Sequence, residues 1–339
     1  MRIFFGLWGL AFVIFPFPMP ENFEALPGLE VPVGGITAGF SRLWADTAAE
    51  EQKAMQLNLV LHLGLDTWPE DALEQFQVAR RLAQRYPCRV VVLCPVKEET
   101  AKVEMRAKIY GECFRGKSKD DTRCIEIVAL SYPPAAKDYL QDQVSVCLST
   151  DLPLYYWAHR FTSSKRLSNY VYLLTRSQRV MFDSAIVSAD ALTFAWPNIS
   201  AVRDLAYSRT LPLRQNIGQF LSRYAPALII GGLQTVTIRH RAQLGAEARC
   251  LLGWVKKGLV RAGANVGEGI AFTVTPVDCA GCFSLEFGYA DPKRTFLWAA
   301  DLAKNEAVFT GDLGTGRSTQ TVGAHLLAPE EALSEAMFF

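Results

Sequence analysis

Hydrophobic and polar residues follow different patterns in the two halves of the chain. In the first half, the apolar runs "LNLVLHLG" (57–64) and "CRVVVLCP" (88–95) flank the amphipathic stretch "DTWPEDALEQFQVARRLAQRYP". Continuous apolar runs are typical of strands that are covered on both faces. The strand–helix–strand order predicts a crossover between parallel strands, with the helix ended by Pro87.

The rest of the first half continues this pattern. "AKVEMRAKIYGECF" alternates apolar and charged residues and predicts a half-exposed strand, with "RCIEIVALSYP" as its partner. A helix from about Ala135 to Leu148 leads to the strand "LPLYYWA", and "RVMFDSAIV" predicts one more strand. We therefore predict an α/β, Rossmann-like domain with a mostly parallel sheet over residues 33–195.

The second half has shorter strand patterns. After the strand "LQTVTIRHR" and the helix "EARCLLGWVKKGLV", the stretches "AFTVTP", "FSLEFGYA", "TFLWAADLA" and "AVFTGDL" read as short strands separated by tight turns. Runs of strands next to helices suggest an antiparallel sheet with helices on one face. We therefore predict an α+β domain over residues 196–339.

Basic and acidic residues nearly balance. The chain has 35 Lys and Arg against 34 Asp and Glu, so its formal net charge is +1. Nucleic-acid binders usually carry a basic excess that neutralises phosphates, so we expect no nucleic-acid partner. The cysteines lie mostly within apolar runs, where a free thiol behaves as a small hydrophobic group, and this favours a reduced, cytoplasmic protein.

The N-terminal segment, residues 1–32, has a pattern of its own. An apolar run from Ile3 to Phe17 resembles a short signal sequence, but it is shorter than the about 20 residues that span a bilayer and lacks a small-residue cleavage site. Two interpretations stay open: the true start is Met19, or the segment serves export or anchoring. We favour Met19 as the start and expect no membrane association.

Two short motifs suggest chemistry but lack the context that the chemistry needs. "GDLGTGRST" (311–319) has the spacing of a phosphate-binding loop, yet β-branched and polar residues follow it, so we predict a glycine turn between strands. The "CAGC" stretch, Cys279 to Cys282, has no second pair of zinc ligands, so we predict no metal site. We expect this stretch at a hairpin tip with structural cysteines, a switchable disulfide and metal binding being the alternatives.

The chain also lacks a recognisable catalytic constellation. His62 ends a strand shortly before Asp66, at a place where α/β sheets often bind ligands, but a hydrogen-bonded structural histidine is the favoured interpretation. No G-x-S-x-G elbow occurs, and "LGLDTW" after the first strand lacks the glycines of a dinucleotide site. We therefore predict no catalytic residues and no cofactor, and binding becomes the leading class of function.

The stretch "DLAYSRTLPLRQNIGQFL" (204–221) is unusual for a segment that only covers a core. It places charged residues among apolar ones, and Pro212 would remove a backbone N–H and clash with the preceding turn of a helix. Two explanations stay open. The segment is an interface, or Asp204 and Arg209 form an internal ion pair that holds the two domains together.

A series of stretches runs through the chain in a characteristic order: "LNLVLHLG", "RYPCRVVVLCP", "TDLPLYYWAHR", "RVMFDSA", "DLAYSRTLPLRQNIGQF" and "LLGWVKKGL". From about Val33 to about residue 260, this series resembles the glucose-6-phosphate dehydrogenase assembly protein OpcA family. The family usually has Trp where this chain has Tyr207 and again where it has Leu213. An aromatic residue is therefore kept at the first position and lost at the second.

The resemblance implies a non-catalytic, cytoplasmic assembly factor or allosteric activator that binds glucose-6-phosphate dehydrogenase. In some members of the family cysteines make the activation redox-sensitive, so Cys279 and Cys282 are the redox candidates here. Arginine and aromatic residues carry much of the binding energy at interfaces. We predict that the partner-binding residues are Asp204, Tyr207, Arg209, Pro212, Arg214 and Trp157.

Two other classes of function compete with this interpretation. A sugar-phosphate-binding α/β enzyme would use His62, Asp66 and the basic residues near Trp157, and it would show turnover by the isolated protein. An exported binding protein would require cleavage of the N-terminal segment in cells.

Overall fold

The computed structural model describes residues 21–45, 55–97, 104–115, 122–267, 269–279 and 281–339. The N-terminal apolar run and Met19, on which the predicted start depends, lie outside these residues. Within the described part of the chain, no helix is both long enough and apolar enough to cross a membrane.

The first sheet contains eight strands of the described chain. Six of them, in the sheet order β5-β3-β2-β6-β7-β8, each run parallel to the next. Its order is β1-β4-β5-β3-β2-β6-β7-β8, and β4 pairs antiparallel with both β1 and β5. The prediction of an α/β fold with a mostly parallel sheet is therefore confirmed. The strands are β1 (Leu29–Val31), β2 (Leu57–Leu63), β3 (Cys88–Pro95), β4 (Arg106–Arg115), β5 (Thr122–Tyr132), β6 (Leu154–His159), β7 (Arg179–Phe182) and β8 (Val202–Asp204).

Helices cover both faces of this sheet, which explains the continuous apolar runs of its central strands. Every residue of β2 is buried: its four leucines belong to the core on one face, and Val60 belongs to the core on the other. The helices of this part are α1 (Asn22–Ala25), α2 (Ile36–Trp44), α3 (Pro69–Arg85), α4 (Lys137–Cys147), α5 (Ser164–Ser168), α6 (Val171–Arg176) and α7 (Ala189–Leu192).

Helix α3 shows how the local sequence sets an element. Pro69 occupies its first turn, where a missing N–H costs no hydrogen bond, and Glu70 and Asp71 place negative charge at the positive end of the helix dipole. The helix ends at Arg85, before Pro87, as the sequence predicts. Its Phe76 and Leu82 pack into the same core as the leucines of β2.

The second sheet has the order β10-β9-β11-β12-β13-β14. Only β9 and β10 among these neighbours pair in parallel, across the helix α11 (Gly245–Arg261), so the predicted α+β region with a mostly antiparallel sheet is confirmed. Buried residues alternate along β11, β12 and β13, since only one face is covered by a core. The strands are β9 (Leu233–His240), β10 (Ala271–Pro276), β11 (Cys282–Tyr289), β12 (Thr295–Asp301), β13 (Glu306–Asp312) and β14 (Ser318–Gly323).

The hairpin expected at "CAGC" is wrong. Strands β10 and β11 do not pair with each other, because both pair with β9 and lie on its opposite sides. The parallel crossover through α11 brings β10 to one edge of β9, and this leaves the other edge to β11. A tight turn between β10 and β11 therefore cannot join neighbouring strands.

The remaining helices connect the two sheets or return to the first one. They are α8 (Leu205–Arg209), α9 (Leu211–Leu221), α10 (Pro226–Ile230) and α12 (Pro329–Phe338). Leu333, Ala336 and Met337 of α12 pack into the same core as α3, so the end of the described chain lies on the first sheet. The domain boundaries at residues 32 and 195 stay predictions.

Candidate functional site

The segment 204–221 joins the two sheets and consists of two helices. Asp204 ends β8 and caps α8, because its Oδ1 accepts the backbone N–H of Ala206 (3.0 Å) and also that of Ser184 (3.1 Å). Pro212 is the second residue of α9, a position where the missing N–H has no intrahelical partner to lose. The proline that is unexpected in one long helix therefore marks the start of a second helix.

Arg209, at the end of α8, connects the two sheets through two carboxylates. It donates to Asp183, just after β7, at 2.7 and 3.0 Å, and to Oε1 of Glu247 on α11 at 2.9 and 2.6 Å. Burial alone would lower the pKa of Arg209, but the hydrogen bonds and charges of Asp183 and Glu247 outweigh it and raise that pKa. We call these three residues the Arg209 tie.

The sequence left open whether Asp204 and Arg209 form an internal ion pair, and the partners of Arg209 in the structure answer this question. Arg209 does form an internal ion pair, but its partners are Asp183 and Glu247. Asp204 instead caps α8, and its Oδ2 accepts a hydrogen bond from the Cys250 thiol at 3.4 Å. An Asp204–Arg209 ion pair is therefore wrong.

Tyr207 and Arg214 form a second arrangement on the same segment, which we call the Tyr207–Arg214 pair. The guanidinium carbon of Arg214 lies 3.8 Å from the centre of the Tyr207 ring, and its Nη1 donates to the Tyr207 hydroxyl at 2.8 Å. Its Nε donates to the Thr210 hydroxyl at 3.2 Å. Arg214 is 9% exposed and Tyr207 is 38% exposed, so the cation lies beneath an accessible aromatic ring.

The acceptors of Arg214 are all neutral oxygens. Among the described residues, no carboxylate forms a hydrogen bond or a close ion pair with it. Burial lowers the pKa of Arg214, and the negative charge of Glu335 on α12 opposes this in part. A desolvated cation without a carboxylate in direct contact is costly, and an acidic group brought into contact with it would reduce the cost.

Trp157 lies away from the Tyr207–Arg214 pair but close to the Arg209 tie. It is 3% exposed in β6, and its indole Nε1 has no hydrogen-bond partner within the described chain. A cavity of about 230 Å³, the tie cavity, is lined by Trp157 together with Arg209, Asp183 and Asp71. The structure thus brings two predicted site residues, Trp157 and Arg209, to one cavity, and places Tyr207 and Arg214 elsewhere.

Sequence reasoning missed a charged cluster in the wall of the tie cavity. Oδ2 of Asp71 accepts from His159 Nε2 (3.0 Å) and from Arg160 Nε (2.7 Å), while Gln75 donates to Oδ1 (2.9 Å). Burial alone would raise the pKa of Asp71, but the hydrogen bonds from His159, Gln75 and Arg160 outweigh it and hold the pKa below its ordinary value. In the sequence, His159 and Arg160 stand out only as polar residues at the end of a buried stretch. They reach Asp71 on α3 because β6 pairs with β2.

His62 is a structural histidine, as the sequence favours. Its Nδ1 lies 2.8 Å from the Tyr156 hydroxyl and its Nε2 lies 2.6 Å from the Tyr132 hydroxyl. The ring is fully buried, and burial lowers its pKa to about 3, so the imidazole is neutral at physiological pH. A neutral histidine with both nitrogens occupied is not available as a general base.

The "GDLGTGRST" stretch forms the predicted turn, between β13 and β14. Gly314 and Gly316 have φ values of 93° and 98°, which favour glycine. The Asp312 carboxylate accepts the backbone N–H of Gly314 (2.8 Å) and of Gly316 (3.2 Å). These amides therefore already have an anionic partner and do not form a phosphate cradle.

The cysteines fall into two groups. Cys279 is joined to Cys282, and Cys113 of β4 is joined to its directly opposed neighbour Cys124 of β5, a pairing that sequence reasoning missed. Cys88, Cys94 and Cys147 are buried free thiols whose pKa is raised by burial, to about 12 for Cys88 and about 11 for Cys147. Within the described residues, no group of three or more His, Cys, Asp or Glu could hold a metal ion.

Comparison with known proteins gives one family and one curated relative. The family profile of OpcA glucose-6-phosphate dehydrogenase assembly proteins, described as "Glucose-6-phosphate dehydrogenase subunit N-terminal domain", matches residues 79–195. A protein of Synechocystis sp. that is named as the OxPP cycle protein OpcA is 24% identical over 193 residues, which cover 55% of this chain and 40% of that protein. The chain thus matches less than half of this relative's length.

A solved structure is also similar in outline. KijD10, a 3-ketoreductase from Actinomadura kijaniata whose crystal structure contains TDP-benzene and NADP, covers 83% of this chain with 88% of its own and has 9% sequence identity. The TM-score is 0.41, and a similarity of this degree supports no argument about the chemistry of this chain.

Proposed function

We propose that this chain, whose residues 79–195 match the OpcA family, is a non-catalytic partner of glucose-6-phosphate dehydrogenase that promotes the assembly or the active state of that enzyme. The match of residues 79–195 to the assembly family carries the proposal. This range contains most of the first sheet and ends shortly before the segment with the Arg209 tie and the Tyr207–Arg214 pair. We further propose that the protein acts in the cytoplasm with the enzyme, without a nucleic-acid or membrane partner and without a cofactor.

We propose the Tyr207–Arg214 pair as the centre of the surface that contacts the enzyme. Tyr207 offers an accessible aromatic ring, and Arg214 beneath it offers a cation with no carboxylate partner among the described residues. Tyrosine and arginine are enriched among residues that dominate binding energy, and a desolvated cation favours an acidic group on the partner. Asp204 and Pro212 support this surface by setting the start of α8 and of α9.

Arg209 and Trp157 have a different part in the proposal. Both are mostly buried, so we propose that they hold the first sheet and α11 in the arrangement that the partner contacts. Their substitution would then reduce binding through the fold and not through a lost contact.

The first test mixes the purified chain with glucose-6-phosphate dehydrogenase from the same source. We expect the two proteins to co-elute in size-exclusion chromatography, and we expect the enzyme to gain activity through a lower KM or a larger assembled fraction. Absence of co-elution together with unchanged kinetics would overturn the proposal.

A matched pair of tyrosine variants locates the surface. Tyr207→Ala should weaken binding by about thirtyfold, because loss of an anchor at the centre of an interface costs about 2 kcal/mol or more. Tyr139, which is 70% exposed on α4, provides the control, and Tyr139→Ala should bind as the parent does. Equal affinities of the two variants would place the interface elsewhere.

The competing function, a sugar-phosphate-binding enzyme, has the Asp71–His159 contact in the tie cavity as its specific support. The same preparation decides between the two functions. Turnover of a sugar phosphate by the isolated chain, lost in His159→Gln, would favour the enzyme. Activity that appears only with the dehydrogenase present would favour the partner.

A further inference from the structure

A second cavity lies at the carboxyl edge of the first sheet, where the chain changes direction. From β2 the chain crosses to β3 on one side, and it later returns to β6 on the other side of β2. The loops after β2 and β6 therefore leave their strands in opposite directions and open a crevice between them. Open α/β sheets bind their ligands at such switch points.

The backbone at this switch point is closely packed and well defined. The N–H of Gly64, just after β2, donates to the carbonyl oxygen of His159 at 2.7 Å. A Cβ at Gly64 would overlap the carbonyl oxygen of Arg160, and Arg160 itself has a φ of 53°, which is uncommon for a residue with a side chain. The two loops are thus held together at Gly64, which also lines the cavity.

The cavity, which we call the switch-point cavity, has a volume of about 370 Å³ and lies between the loops after β2, β3 and β6. Small-molecule sites occupy roughly 300–1,000 Å³, so the space suits a molecule of the size of a monosaccharide derivative. Phe161 and Pro134 form apolar parts of its wall.

Among the described residues, the charged side chains that line the switch-point cavity are all cationic. They are Lys97, Lys165 and Arg166, and no carboxylate is among the lining residues in the described chain. Asp66 lies beside the cavity, with its Oδ2 3.9 Å from Arg166, and offsets part of the charge. A cleft lined by one sign of charge concentrates ligands of the opposite sign, and lysine and arginine are the common partners of phosphate.

Uncharged polar groups complete the wall. The Ser163 hydroxyl and the Asn169 amide line the cavity, and neither side chain makes a hydrogen bond within the described part of the chain. These groups suit the hydroxyls of a polar ligand. His62 and Tyr170 also line the cavity, and both are hydrogen-bonded to the Tyr132 hydroxyl.

We propose that the switch-point cavity binds a phosphate monoester of a small polyhydroxylated molecule, with Lys97, Lys165 and Arg166 on the phosphate. Both ring nitrogens of His62, which lines the cavity, are hydrogen-bonded to tyrosine hydroxyls, so His62 does not serve as a general base there. The inference goes beyond the proposed function and does not depend on it, since it concerns the chain alone.

Calorimetric titration of the full chain, without the dehydrogenase, tests the inference with three probes. Glucose 6-phosphate should bind saturably, glucose should not bind, and inorganic phosphate should bind more weakly than the ester. Added salt should weaken the binding of the ester, because the contacts are ionic. Absence of saturable binding of the ester, or equal binding of glucose or of inorganic phosphate, would overturn it.

Variants locate the binding in this cavity. The double change Lys165→Ala and Arg166→Ala should weaken glucose 6-phosphate binding at least about tenfold, which corresponds to about 1.4 kcal/mol. Both side chains are exposed, so the melting temperature should stay close to that of the parent. Lys257→Ala, an exposed lysine on α11, is the control and should bind as the parent does. An unchanged affinity of the double variant would place the site elsewhere and refute the assignment.

Discussion

Arg209 and Arg214 lie on consecutive helices of one segment, yet their guanidinium groups have opposite surroundings. Arg209 meets two carboxylates that come from different parts of the fold, Asp183 after β7 and Glu247 on α11. Arg214 meets an aromatic ring and neutral oxygens. An arginine that is paired directly with carboxylates inside the protein contributes to the fold, whereas we propose that one without such a direct contact binds a partner.

Under the proposed function, the segment 204–221 both stabilises the fold and contacts the enzyme. The Arg209 tie holds the end of α8 against both the first sheet and α11, and this fixes the position from which α9 begins. Arg214 and Tyr207 are presented from that fixed position. A binding surface on rigid elements loses less entropy on association than one on a mobile loop.

The largest effect is expected from a substitution that removes the Arg209 tie. Arg209→Ala should lower the free energy of unfolding by about 3–5 kcal/mol, because it leaves Asp183 and the buried Glu247 without their cation. Urea denaturation measures the change. Arg261→Ala, at an exposed arginine that ends α11, is the control and should stay within about 0.5 kcal/mol of the parent. A loss no larger than that of the control would show that the tie does not stabilise the fold.

Arg214→Ala tests whether Arg214 contributes to partner binding more than to stability. It should weaken binding to the dehydrogenase by about 2 kcal/mol, or roughly thirtyfold, while the stability changes much less than in Arg209→Ala, since no carboxylate loses its partner. A binding titration and a melting curve on the same variant give both quantities. If Arg214→Ala melts as early as Arg209→Ala, or binds as tightly as the parent, the two arginines do not differ as we infer.

A smaller effect is expected at the start of the segment. Asp204→Ala should cost about 1 kcal/mol of stability, because the backbone N–H groups of Ala206 and Ser184 lose their acceptor. Asp204→Asn keeps an acceptor oxygen and should recover most of the loss. Thermal denaturation of both variants checks this order, and equal losses would mean that capping is not the role of Asp204.

The smallest effect near neutral pH is expected at Asp71, beside the Arg209 tie. The pKa of Asp71 is held below its ordinary value of 3.8, so its contribution to stability is complete above that pH and is lost as the pH falls below it. Asp71→Asn should therefore be less stable than the parent at neutral pH, and the difference should shrink in acid. Urea midpoints at several pH values measure the difference, and a constant difference would contradict the assignment.

Much of the fold could be predicted because local patterns carry it. The run "CRVVVLCP" coincides with β3, and "LNLVLHLG" contains all of β2, since a strand covered on both faces needs an unbroken apolar stretch. The hairpin at "CAGC" failed because strand pairing is not a local property. A short connection between two strands suggests that they are neighbours in the sheet. Here β9 lies between β10 and β11, because the crossover through α11 pairs β10 with β9.

The candidate sites could be predicted only in part for the same reason. The segment 204–221 could be recognised by its charges and its proline, but not the partners of Arg209, which lie 26 and 38 residues away along the chain. The Asp71–His159 contact and the switch-point cavity depend on β6 lying beside β2, far from it in sequence. No pattern within either segment specifies that neighbour.

The sequence by itself determined most strands of both sheets, the helix that ends before Pro87, and the resemblance to the assembly family, because hydrophobic period, proline geometry and motif order are local. Only the tertiary structure decided which arginine has its charge balanced, where the lysines of the switch-point cavity meet, and that α12 returns to the first sheet. These outcomes depend on contacts between residues that are distant along the chain. Such contacts follow from the packing of whole sheets and helices, and not from the residues on either side.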